Sequence, residues 1–84
     1  MATLIKADGT KREVKVKGES LEVLQGLVGG YIEVVNTVGG KMLIVNEEGK
    51  LKDLPLNKEA TRLYGCLTDI IVGDAILCDQ GEID

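Results

Sequence analysis

The first hydrophobic pattern in the chain is that of a hairpin. ATLIKA runs into Asp8-Gly9, the favoured signal for a two-residue turn, and then into TKREVKVKG. In the second arm Val14 and Val16 alternate with Glu13, Lys15 and Lys17, as in a strand with one buried and one wet face. The period changes in ESLEVLQGLVGG, where Leu21, Leu24, Leu27 and Val28 fall on one side of a helix. Ser20 suits its N-cap, Glu22 suits the positive end of its dipole, and Gly29-Gly30 stops it. YIEVVNT and KMLIVNE are two strands joined by VGG. Ile32 and Val34 face one way; Tyr31, Glu33 and Val35 face the other. Both faces carry apolar residues, so this hairpin is expected in the centre of the sheet.

Residues 46–57, NEEGKLKDLPLN, hold three acids, two lysines and the only proline. EEGK predicts a tight reversal and KDLPL an extended run, because the residue before proline avoids helical angles. Asn57 is a good cap for the helix that follows, in which Ala60, Leu63, Tyr64 and Leu67 recur at i, i+3, i+4 and i+7. DIIVGDAILCD is a final strand interrupted at Gly73-Asp74 by a bulge or a turn, and QGEID reads as a frayed acidic tail. The order is ββαββαβ over a single domain, residues 1–84. Hairpins dominate, so the fold class is α+β: a mainly antiparallel sheet with two short helices packed on one face.

Composition makes this core thin. A chain of 84 residues buries only about 60–65% of its unfolded surface. Its aromatic content is Tyr31 and Tyr64 alone, so Leu, Ile and Val carry the burial. A thin aliphatic core favours self-association, and a homo-oligomer is expected. The net charge of −4 and the absence of a basic block argue against binding duplex nucleic acid, which depends on lysine and arginine. No apolar run approaches the ~20 residues that span a bilayer, and the N-terminus lacks a signal peptide's apolar core. A cytoplasmic protein is expected, with Cys66 and Cys78 as reduced core thiols.

The chemistry is limited by what is missing. With no histidine, the usual general base, a serine triad and a Cys-His pair are excluded, and two cysteines alone do not make a zinc site. There is no phosphate-binding GxxxxGK[ST] loop, and the glycine pairs read as ordinary turns. No catalytic residue, metal site or cofactor is expected. Adjacent Glu47 and Glu48 read first as solvated acids, with a cation site as the alternative. Arg62 is either solvated or overlooks the 46–57 stretch. Tyr31 reads as a core or interface tyrosine ahead of a stacking platform.

LQGLVGGYIEVV, IVNEEGKLKDLPLN, EATRLYG and DIIVGDAIL together resemble a small domain family of unknown function carried by bacteriophages, plasmids and Gram-positive bacteria. The resemblance covers residues 21–77 and implies a phage or mobile-element setting in a bacterial host, not an activity. Turn formation explains Gly49 and Pro55 but not Asn46, Glu47, Asn57 and Arg62. With Tyr31, Leu54 and Pro55 these form the candidate ligand-binding set, suited to a flat, polar, nucleotide-like molecule.

Two readings follow. The first is a non-enzymatic anti-defence protein that sequesters a nucleotide-derived bacterial immune signal. Nanomolar retention needs roughly 12 kcal/mol, so two chains are expected to share each site. The second is a protein-interaction module that inhibits a host or defence complex through an exposed strand edge or the second helix. Carboxylate-based catalysis is the least favoured reading.

Overall fold

The computed structural model describes residues 2–16, 18, 21–66, 68–79 and 81. The expected cap Ser20, the stripe position Leu67, the side chain of Leu21 and most of the acidic tail lie outside the described residues. The elements are β1 (Ala2–Ile5), β2 (Lys11–Val14), α1 (Leu21–Val28), β3 (Ile32–Asn36), β4 (Met42–Asn46), α2 (Lys58–Tyr64) and β5 (Ala75–Cys78). They form one five-stranded sheet in the order β2-β1-β5-β4-β3, antiparallel throughout. The α+β class and the ββαββαβ order are as expected.

Both hairpin loops have three residues. In the first, Lys6 N–H donates to Thr10 O (2.9 Å) and Gly9 N–H to Lys6 O (2.9 Å). In the second, Thr37 N–H donates to Lys41 O (2.9 Å) and Gly40 N–H to Thr37 O (3.2 Å). Gly9 (φ 95°) and Gly40 (φ 84°) take the left-handed last position of this loop type. The two-residue turn expected at Asp8-Gly9 is therefore one residue longer. The extra length lets the Asp8 carboxylate accept from the Thr10 N–H and hydroxyl.

The helices lie on opposite faces of the sheet, which corrects the expectation of a single helical layer. Leu24 and Val28 of α1 pack with Leu4, Ile44, Ile76 and Cys78. Ala60 of α2 packs with Leu43, Val45, Ile71 and Ala75, and Tyr64 closes over that second cluster. Alternation along β4 makes this unavoidable. Ile44 serves one cluster, Leu43 and Val45 the other, and each apolar face needs a cover. The β3–β4 hairpin is not central: β3 is an edge strand, and β5 lies in the middle. Double-sided apolar character belongs fully to β4, where Leu43, Ile44 and Val45 are all buried.

The break at Gly73-Asp74 is a corner. Leu56 and Val72 form an isolated antiparallel bridge just before it, and Gly73 N–H donates to Pro55 O (2.7 Å). Asp74 accepts from Ala7 N–H (3.0 Å), which ties the corner to the first hairpin. Gly73 has φ 76°, and a Cβ there would sit 2.8 Å from Leu54 Cδ1. The left-handed angle favours glycine, and any larger residue would also have to displace the end of the Leu54 side chain.

Candidate functional site

A cleft of about 120 Å³ opens on the α2 side of the sheet. Glu33 and Val35 of β3, Val45 and Asn46 of β4, and Tyr64 of α2 form its walls, with Glu47, Lys50 and Leu51 on one rim and Asp69 to Val72 on the other. The walls follow from the fold. Glu33 is paired with Val45 and Val35 with Leu43, so the β3 residues that share the α2 face reach the cleft from the sheet edge. The reversal after β4 extends further than EEGK: Lys52 N–H donates to Glu48 O and Leu54 N–H to Gly49 O, leaving only Leu54-Pro55 extended.

An ion pair between Lys50 and Asp69 spans the cleft and ties the two rims. The hydrogen bond from Lys50 holds the Asp69 carboxyl below its ordinary range, and the same bond raises Lys50. Burial, with Cys66 and Asp69 nearby, pushes the Tyr64 phenol up. The Thr68 hydroxyl, 3.5 Å from its sulfur, lowers the Cys66 thiol. Neither Cys66 nor Cys78 is in a disulfide, and only Cys78 is buried. Cys66 is half-exposed just beyond the end of α2.

The candidate ligand set does not converge on one site. Asn46 and Glu47 line the cleft, and Tyr31 is their neighbour through the Glu47 N–H to Tyr31 O bond (2.8 Å), the residue being 65% exposed. Asn57 and Arg62 line a second, more open hollow of about 460 Å³, with Asp8, Leu56, Lys58 and Glu59. Leu54 and Pro55 lie at the Gly73 corner.

Both asparagines are engaged by the fold. Asn46 accepts from Glu48 N–H (2.8 Å) and donates to Val28 O (3.2 Å), clamping the end of α1 to the turn after β4. Asn57 caps α2 by accepting from Ala60 N–H (3.0 Å). Its amide also donates to Ile5 O (2.8 Å) and Gly73 O (2.9 Å), joining β1, the corner and α2. Arg62 forms a two-bond pair with Glu59 (2.7 and 3.0 Å), and Lys11 reaches the same carboxylate at 2.6 Å. These two cations hold the Glu59 carboxyl down at about 2.

Glu33, Val35, Lys50, Tyr64 and Asp69 were not in the candidate set. Only Lys50 carried a signal, by lying in the polar 46–57 stretch; Tyr64 read as core, and Asp69 stood out in no pattern. Among the described residues no group of three or more Cys, Asp or Glu is placed to hold a metal, and no helix is long and apolar enough to cross a membrane.

The free side of β3 has a definite polarity. Glu47 N–H meets Tyr31 O, and Thr37 N–H meets Lys41 O, so the odd-numbered residues of this strand bond to β4. In an antiparallel ladder the alternate residues point their backbone groups away from that neighbour. The N–H and C=O of Ile32, Val34 and Asn36 therefore face outward. The opposite edge of the sheet, β2, shows exposed Lys11, Arg12 and Glu13 followed by Lys15, whereas β3 carries one charge, Glu33. No curated protein and no solved structure matches the chain. The family described as Domain of unknown function (DUF3846) matches residues 1–84, the whole length seen here and more than the quoted segments covered, and the chain belongs to that family.

Proposed function

We propose that the protein is a non-enzymatic interaction module of a phage or mobile element, which docks a partner polypeptide on the open edge of β3 and so inhibits a host or defence complex. The observation that carries this reading is the contrast between the two sheet edges. Proteins guard exposed edges with lysine and other charges, because unpaired N–H and C=O groups recruit foreign strands. β2 is guarded in this way and β3 is not. Strand addition supplies affinity through main-chain bonds, and side-chain pockets add specificity. The 120 Å³ cleft begins at Glu33 and Val35, so a residue of an added strand can enter it.

The test uses Val34→Pro and Val34→Lys. Val34 N–H points away from β4, so proline removes an outward donor without removing a ladder bond. Crosslinking of the full chain in host extract should capture a partner with wild type and lose it with both variants, with amide protection at Ile32, Val34 and Asn36 in the captured complex. Equal capture by all three proteins refutes the edge.

A second reading, sequestration of a nucleotide-derived signal, is favoured by the hollow of about 460 Å³ beside Lys58 and Arg62. Its volume lies within the usual range of about 300–1,000 Å³ for ligand sites, whereas the cleft is smaller. A phosphate there must compete with Glu59 for Arg62. Calorimetric titration with cyclic and ADP-ribose-derived nucleotides tests it; no binding by wild type removes it.

A further inference from the structure

We infer that the open edge of β3 pairs with a second copy of itself, making one continuous sheet across a two-fold axis at Val34. This rests on the reading of β3 as an open edge; a second copy and a foreign strand compete for that edge, so the pair must separate before a foreign strand docks.

The argument is one of self-complementarity. A two-fold axis perpendicular to the sheet at Val34 sets Val34 against Val34 of the second copy, Ile32 against Asn36, and Asn36 against Ile32. These are the residues whose N–H and C=O face outward. Each of the three pairs exchanges two bonds, so every outward group of the strand is satisfied. Shifting the axis by one residue is worse in both directions. Centred on Glu33, it places two carboxylates directly opposite, which destabilises a strand pair. It also leaves Asn36 facing Gly30, outside the strand. Centred on Val35, it sets Ile32 against Val38, which lies in the hairpin loop. Only the Val34 axis offsets the acids and uses the full strand.

Side chains agree with that register. On the α1 face the two Val34 residues, each 38% exposed in the single chain, become neighbours. On the α2 face Glu33 lies beside Val35 of the second copy, and Tyr31 beside Thr37. Glu33 and Val35 line the cleft, so the second copy's strand lies along its β3 side. The guarded β2 edges remain at the two ends of the joined sheet, so pairing stops at two copies instead of continuing as a fibre.

The experiment is light scattering on size-exclusion chromatography of the full chain from micromolar to millimolar concentration, for wild type, Val34→Lys and Val34→Pro, with circular dichroism as the check on folding. Wild type should reach twice the 9.0 kDa of one chain. Val34→Lys sets two ammonium groups opposite each other and should stay at one chain mass; Val34→Pro should do the same by removing the central donor. Wild type at one chain mass throughout overturns the inference, and so does a wild-type dimer that persists in folded Val34→Lys. Either result leaves capture of a foreign strand on β3 to be decided by the crosslinking experiment.

Discussion

Replacing Asn57 by aspartate removes one atom's donors and leaves the shape of the side chain unchanged. Its consequence can be worked from the bonds. An aspartate still accepts from Ala60 N–H, so the helix cap survives, and by capping alone the change is neutral. The amide's two donations, to Ile5 O at 2.8 Å and Gly73 O at 2.9 Å, do not survive. Their loss costs about 1 kcal/mol each. Their replacement by an ionised oxygen facing two carbonyl oxygens, at a site 1% exposed, adds about 2 kcal/mol or more. The sum, about 4 kcal/mol, approaches the whole stability of a weak domain this size, roughly 4–13 kcal/mol at 0.05–0.15 kcal/mol per residue. The melting temperature of Asn57→Asp should fall by ~15–30 °C at neutral pH. Burial and the carbonyl oxygens raise the new carboxyl above its unfolded value of about 3.9. The folded state then binds the proton more tightly, so the deficit is full above the raised value and shrinks as pH falls toward ~3.9. Asn57→Ala loses those two bonds and the cap to Ala60 N–H as well, but without a charge, and its deficit should not change with pH. Thermal melts of the three proteins from pH 7 to 4 decide the matter. An aspartate variant melting within ~3 °C of wild type at pH 7, or one whose deficit ignores pH, refutes the reasoning.

Glu59, held down at about 2 by Arg62 and Lys11, contributes stability above its unfolded value of about 4.3 that is lost as pH falls through about 2; carbon-detected NMR titration should find its carboxyl among the last to protonate, and an ordinary midpoint would break up the triad. Leu63→Ala should cost about 1–2 kcal/mol, because Leu63 is half-buried, while Leu51→Ala, at a position 87% exposed, should stay within about 0.5 kcal/mol in urea melts; equal effects would detach α2 from the sheet. A thiol reagent should modify Cys66 rapidly and Cys78, 2% exposed, only on global opening; equal rates in the native protein contradict the placement of Cys78. Dithiothreitol should leave the melting temperature unchanged, since neither cysteine is in a disulfide.

Periodicity carried most of the architecture. Alternation and turn signals located both hairpins, and the glycine pair after Val28 marked where α1 ends. The layer arrangement was readable too, but only by giving weight to LIV in β4, three consecutive apolar residues that cannot share one face. Strand order was not readable, because nothing local says that β5 enters between β1 and β4. The site suffered from the opposite error. Polar residues in a loop drew attention as ligand contacts, yet Asn46 and Asn57 spend their amides holding segments far apart in sequence. An asparagine next to a helix start predicts the cap; it does not predict donations to residues 5 and 73, which depend on the assembled sheet. Lys50 and Asp69 likewise meet only because the Leu56–Val72 bridge brings the two loops together.

The place of β5 governs how the chain folds. β5, which follows both hairpins in the chain, lies between β1 and β4, so the two hairpins share no sheet until it arrives. During synthesis the first hairpin must wait, with Leu4 and Ile5 uncovered, until Ala75–Cys78 has left the ribosome. A two-stranded hairpin is marginal in water, so neither half accumulates as a stable intermediate. Non-local closure of this kind slows folding and makes it close to all-or-none. Removing the chain from Gly73 onward should therefore release two incompetent hairpins, not a smaller version of the domain, and a single cleavage near Asp74 would be enough to switch the protein off.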